Sequence, residues 1–181
     1  MWIYFILLEN SIIYIEYKCA LSNKKGSAYI NFSKKSHDLA SLESSIHKID
    51  YIKKQNVNKL NIELEKLDNL IENNYLTNID FIKIDTEGHE IKVLEGGINF
   101  LNRNKVKLVQ IEFNWHHLFV NNSIFQFSEI LKDYVVTQMN LTDGRLIVVD
   151  QNHYQSNLFQ LSNFVFVEKE FFEKNFPILL G

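Results

Sequence analysis

Between residues 85 and 90 the chain reads Asp85-Thr86-Glu87-Gly88-His89-Glu90, which sets three carboxylates and an imidazole within one short stretch. The run before it, Ile79–Ile84 (IDFIKI), is short and rich in β-branched residues. After it, Ile91, Leu94, Ile98 and Leu101 recur at the spacing of one amphipathic helix. The acidic stretch is therefore predicted at a strand-to-helix junction, and in an open α/β sheet ligands bind at such carboxyl-end junctions. There Asp85 would project toward a crevice, and Thr86 would be the N-cap, its hydroxyl accepting from first-turn amides. Gly88 would allow a tight turn or the close approach of a ligand. The density of acidic groups at a strand end, with His89 among them, marks the stretch as a candidate functional site. A histidine at a helix start, such as His89, is expected at the solvent. The plainer alternative is that Glu87 and Glu90 only meet the helix dipole, at about 0.3–1 kcal/mol each.

A second buried run, Val106–Phe113 (VKLVQIEF), carries Glu112 near its end, and His116-His117 follows. Adjacent parallel strands would bring both loops to one edge of the sheet, so Glu112 would face the same crevice. Asp85, Glu87, His89 and Glu90 also offer hard oxygen ligands and an imidazole. A metal-dependent hydrolase using Asp85, Glu87 and His116 is the corresponding alternative. No H-E-x-x-H pattern supports it, and adjacent histidines point to different sides of a strand or helix. No metal is assigned on this reading, and His116 and His117 are expected on the surface.

The elements needed to position these groups are legible as an α/β chain. Ile12–Leu21, alternating from Ile13 to Tyr17, runs through Ser22–Gly26 into Ser27–Phe32, the pattern of a β-hairpin. Ser33–Asn58 is a polar excursion with a helical turn, Leu60–Leu64 a strand, and Glu65–Asn73 a helix. Beyond the two central strands come a helix at Phe125–Asp133, strands at Val135–Leu141, Leu146–Val149 and Asn163–Val167, and a terminal segment Glu168–Asn175. Strand–helix–strand–helix–strand is the order of βαβ units on a parallel sheet, here with an antiparallel hairpin joined at the end. No linker or repeat divides residues 1–181, so one domain is expected.

Composition narrows the function. Hydrophobic residues are 46% and charged residues 23% of 181, which excludes wholesale disorder. The net charge of −3, with dispersed Lys and Glu, gives no footprint for nucleic acid or an anionic membrane. Met1–Leu8 is apolar but far short of the roughly 20 residues of a spanning helix, and lacks a basic leader. Cys19 is the one cysteine, so no internal disulfide forms, and a buried, inert thiol is expected there. These features together predict a cytoplasmic location.

Phe81–Leu101 (FIKIDTEGHEIKVLEGGINFL) resembles the signature block of the FkbM-type S-adenosylmethionine-dependent methyltransferases. Tyr17–Gly26 (YKCALSNKKG) is similar to that family's third strand with its Ala-Leu-Ser turn, Leu64–Ile71 to its segment leading into the fourth strand, and Val109–Glu112 to the fifth. The resemblance implies a class I methyltransferase, Rossmann-like mixed sheet and methylation of an oxygen on a sugar or small molecule. It implies catalytic roles for Asp85, Glu87 and His89, and acceptor contacts for Glu87, Glu90 and Glu112. Ala20, Leu21, Ser22 and Asp85 would border S-adenosylmethionine, while Leu94 and Gly96 would have a packing role. The family's glycine-rich loop (D-x-G-A-N-x-G) and the Glu-Pro after its second strand are not in this chain, whose first glycine is Gly26 and whose one proline is Pro177.

The chain thus reads as an N-terminally incomplete domain lacking the first two strands. Ile79–Ile84 is then expected to have an open edge, which another polypeptide fills, or the hairpin re-pairs to cover, or which leaves the chain poorly stable alone. Negligible cofactor binding by the chain alone is expected. The alternative to an enzyme is a non-catalytic remnant acting as a protein-interaction module.

Overall fold

The computed structural model describes residues 3–8, 12–33, 40–53, 57–73, 79–104 and 106–176. Pro177, and parts of the polar excursion expected over Ser33–Asn58, lie outside the described residues. The chain runs β1 (Ile3–Leu8), β2 (Ile12–Tyr17), β3 (Ala20–Leu21), β4 (Gly26–Ser33), a 3-10 turn (Ser44–Lys48), α1 (Asp50–Lys53), β5 (Val57–Glu65) and α2 (Leu67–Asn73). It continues with β6 (Phe81–Ile84), α3 (Glu90–Gly96), α4 (Ile98–Asn104), β7 (Leu108–Phe113), α5 (His116–Val120) and α6 (Ile124–Ile130). The last elements are β8 (Tyr134–Met139), β9 (Leu146–Val148), a 3-10 turn (Tyr154–Asn157), β10 (Ser162–Glu168) and α7 (Lys169–Asn175).

A seven-stranded mixed sheet has the order β2-β1-β6-β7-β10-β8-β9, and a second sheet has the order β3-β5-β4. β6 and β7 are parallel, Ile82 opposite Val109 and Ile84 opposite Ile111. β10 runs antiparallel to both β7 and β8 and lies between them, so the closing strands insert into the sheet and do not merely extend its edge. Alternation decides which side is buried. Ile82, Ile84, Val109, Ile111, Phe113, Phe164 and Phe166 form one face of the main core, with Leu67, Leu94, Phe100 and Phe127 from the helices. On the other face Val165 and Val167 meet Phe172 of α7.

Three expectations change. First, Ile12–Leu21 and Ser27–Phe32 do not form a hairpin. The strand breaks after Tyr17; β2 pairs with β1, and Ala20–Leu21 pairs in parallel with Leu64–Glu65. The Ser22 amide donates to the Glu65 carbonyl at 2.9 Å, and α3 approaches Ser22 so closely that a Cβ at Gly96 would collide with the Ser22 carbonyl. Second, β1 lies antiparallel beside β6, with Ile6 opposite Phe81. The edge expected to be open is therefore occupied, and the re-pairing uses the apolar opening segment. Third, the single helix expected from Ile91 to Leu101 is two, α3 and α4, separated at Gly97. Leu67 packs where a Gly97 side chain would be, and the Asp68 carboxylate accepts from the amides of Asn99 and Phe100 at the start of α4.

Candidate functional site

The acidic stretch leaves β6 at the sheet edge where β7 also ends. Lys83 and Asp85 fall on the same side of β6, and the Lys83 ammonium donates to Asp85 Oδ2 at 2.9 Å. Two consecutive residues then take positive φ, Glu87 at 54° and Gly88 at 102°. Gly88 tolerates this without cost, whereas Glu87 does so under strain of a kind that structures keep where neighbours over-determine it. The neighbours are visible. Ser41 Oγ donates to the Glu87 carbonyl at 2.8 Å, and Asn122 Nδ2 donates to the Gly88 carbonyl at 3.1 Å. Ile46 and Val120 pack against Gly88 where a Cβ would point. The turn is thus gripped between the 41–49 segment and α5, whose apolar contacts run from Ile46, Ile49 and Ile52 to Phe119 and Val120.

Three acid–imidazole pairs converge on this turn. Glu90, fully buried, accepts from the amides of Thr86 (2.8 Å) and Gly88 (3.2 Å) on Oε1, and its Oε2 lies 3.0 Å from His117 Nε2. Burial works to raise the Glu90 carboxyl, but His117 and the backbone amides outweigh it and hold the group below the ordinary carboxylate range. Glu87 Oε2 lies 2.6 Å from His116 Nδ1 and accepts from Asn114 Nδ2 at 3.2 Å. His89 Nδ1 lies 2.6 Å from Glu43 Oε1 and its Nε2 3.0 Å from Ser22 Oγ, while Lys92 donates to the same Glu43 oxygen at 2.6 Å. Burial opposes ionisation of Glu43 as well, yet His89 and Lys92 bring it down to about 2.

The carboxylates of Asp85, Glu87 and Glu112 meet at the mouth of this turn, one oxygen from each within 4.8 Å of the others. Glu112 is raised from its ordinary value, by burial first and then by the charges of Asp85 and Glu87, with Lys83 opposing. Such a cluster has the hard oxygen donors that suit Mg²⁺ or Ca²⁺, and equally the acceptors that suit hydroxyl groups.

The structure brings together Asp85, Glu87 and Glu112 as expected from the parallel pairing of β6 and β7. It departs from expectation at the histidines. His89, His116 and His117 are all buried, at 5%, 3% and 0% exposure, because each imidazole has a carboxylate partner within the fold. Thr86 is not the N-cap. That place is taken by His89, and the Thr86 hydroxyl is buried without a hydrogen bond. Glu90 is a structural brace of the turn, with both oxygens used inside the protein. Ala20, Leu21 and Ser22 are buried at 0%, 5% and 1%, Ser22 beneath His89. Cys19 is half-buried, its thiol pushed up by burial and by Glu65 and Glu63, consistent with an unreactive group. Sequence spacing does not reach the contacts of Glu43, Asn114 and Ser41. Only the side chains' polarity marked them, and polarity does not say across which distance a partner lies.

A cofactor with a methionine part needs backbone amides around an open cradle. Among the described glycines, Gly88, Gly96 and Gly97 face protein atoms at packing distance, while Gly26 and Gly144 have nothing within 4 Å. A cavity of about 650 Å³ opens between Tyr17, Cys19, Gly26, Leu64 and Leu70, and it shares no residue with the carboxylate cluster. The one glycine on that cavity is Gly26, so the described residues place no run of glycine amides beside the carboxylate cluster.

A mixed sheet with parallel β6 and β7 and antiparallel β10 inserted before β8 is consistent with a methyltransferase-like fold. A family model for the FkbM methyltransferase domain matches residues 6–137, and the chain belongs to that family. No curated protein and no solved structure matches the chain. Among the described residues no helix is long and apolar enough to cross a membrane.

Proposed function

We propose that this chain carries the acceptor side of an S-adenosylmethionine-dependent O-methyltransferase acting on a hydroxyl of a sugar or small molecule. The observation that carries the reading is the convergence of Asp85, Glu87 and Glu112 within 4.8 Å at the carboxyl ends of two parallel strands, in a chain of the FkbM family. S-adenosylmethionine, when bound, supplies the methyl group; the work left to these residues lies on the acceptor. Asp85 and Glu112 accept hydrogen bonds from neighbouring hydroxyls and fix the acceptor's orientation. Glu87 takes the proton of the reacting hydroxyl. His89 is assigned to the scaffold, since both its ring nitrogens are engaged by Glu43 and Ser22. With no glycine cradle among the described residues, a second polypeptide is the proposed source of the cofactor contacts. The same lack favours the second reading, an interaction module without catalysis.

The two readings separate in a binding experiment. Saturation-transfer NMR with L-fucose, D-glucose and myo-inositol should show contact to the wild-type chain, with at least one probe lost in both Asp85→Asn and Glu87→Gln. Absence of contact by every probe would sink the acceptor reading and leave the interaction module.

A further inference from the structure

The acceptor reading leaves open how Glu87, a residue on a strained turn, is aimed. Both hydrogen-bonding partners of its side chain reach the same oxygen. His116 Nδ1 at 2.6 Å and Asn114 Nδ2 at 3.2 Å converge on Oε2. No described hydrogen bond reaches Oε1. A carboxylate only accepts, so the His116 proton in this pair sits on Nδ1. The His116 amide in turn donates to Asn114 Oδ1 at 2.9 Å, so Asn114 holds both members of the Glu87–His116 pair. The imidazole is 4% exposed and the carboxylate 14%, which protects the pair from competing water. A carboxylate anchored through one oxygen presents the other in a defined direction, as a proton acceptor requires.

The backbone is held by different groups. Ser41 Oγ holds the Glu87 carbonyl, Asn122 holds that of Gly88, and Glu90 takes the Thr86 and Gly88 amides. Turn shape and side-chain aim therefore have separate supports. We propose that His116, seconded by Asn114, is the positioning residue of the acceptor site, holding Glu87 Oε2 so that Oε1 meets the acceptor hydroxyl. This rests on the acceptor reading above.

The separation of supports makes the test specific. His116→Phe keeps the ring volume and removes the donor, whereas His116→Asn keeps a donor near the Nδ1 position. Three-bond couplings between Hα and Hβ of Glu87, with its Cα shift, report side-chain and backbone separately. A single Glu87 rotamer is expected in the wild type and in His116→Asn, and an averaged one in His116→Phe, with the Cα shift unchanged throughout. Affinity for the best monosaccharide probe should fall about tenfold in His116→Phe and recover to within about threefold in His116→Asn. A Glu87 rotamer that stays single in His116→Phe, or is already averaged in the wild type, overturns the proposal. Should His116→Phe not fold, His116→Gln, whose amide does not reach the Nδ1 position, takes its place with the same averaged rotamer expected. If no probe binds the wild type, the acceptor reading fails, and the rotamers still decide whether His116 positions Glu87.

Discussion

Glu90 shows what one buried carboxylate does in this molecule. It satisfies two amides of a strained turn with one oxygen and an imidazole with the other. Truncation would orphan all three, and leaving a buried partner uncompensated costs about 3–5 kcal/mol. Glu90→Ala is accordingly expected to lose about that much stability in urea unfolding followed by circular dichroism, against a change of under about 1 kcal/mol for an exposed control such as Glu72→Ala. The pH dependence has a definite sign. Glu43 and Glu90 are both held below their unfolded values, so their contribution is fully present above about pH 4.3 and is lost as protonation proceeds. For Glu43 the loss extends down to about pH 2. Stability should therefore fall through this acid range, and Glu43→Gln should flatten the fall. An acid limb as steep in Glu43→Gln as in the wild type would show that the His89–Glu43–Lys92 contacts do not stabilise the fold.

At the level of elements, the approach of α3 to the Leu21–Ser22 strand end decides whether the turn is presented at all. Gly96 makes that approach possible, since any Cβ there would strike the Ser22 carbonyl. Replacing glycine by alanine inside a helix ordinarily gains up to about 1 kcal/mol. Here overpacking of about 1–3 kcal/mol should reverse the sign, and Gly96→Ala is expected to melt below the wild type in calorimetry. Equal or higher melting would mean that Ser22 yields freely. The sequence made β6, α3 and β7 legible because apolar period and turn residues act locally, and Asp85, Glu87 and Glu112 followed from them. The partners of the histidines were not legible, because His89 meets Glu43 and His117 meets Glu90 across 46 and 27 residues. Periodicity assigns a face to a residue and says nothing of the carboxylate opposite. The β1–β2 pairing is hidden in the sequence for a related reason. Alternation over Ile12–Tyr17 specifies a strand with one apolar side, and that side is equally suited to Ser27–Phe32 or to Ile3–Leu8.

Taken whole, the molecule divides its work unevenly. The edge of β6 away from β7 is held by antiparallel β1. At the sheet's carboxyl edge beside Asp85 an antiparallel neighbour places the start of its strand, not a strand-to-helix loop of amides. The three closely packed glycines, Gly88, Gly96 and Gly97, serve contacts within the protein. The carboxylate cluster can form under these conditions, because Asp85, Glu87 and Glu112 depend only on β6, β7 and the turn. On the reading proposed above, the cofactor contacts come from a second polypeptide. Calorimetric titration of S-adenosylmethionine into the chain alone should therefore give no heat attributable to micromolar binding, while a polypeptide carrying a D-x-G-A-N-x-G loop, if it displaces β1 from β6, should restore it. Displacement has its own signature: amides of β1 should lose protection from hydrogen exchange on mixing while those of β7 keep theirs. Micromolar binding by the chain alone would place the cofactor contacts within it and remove the need for a second polypeptide.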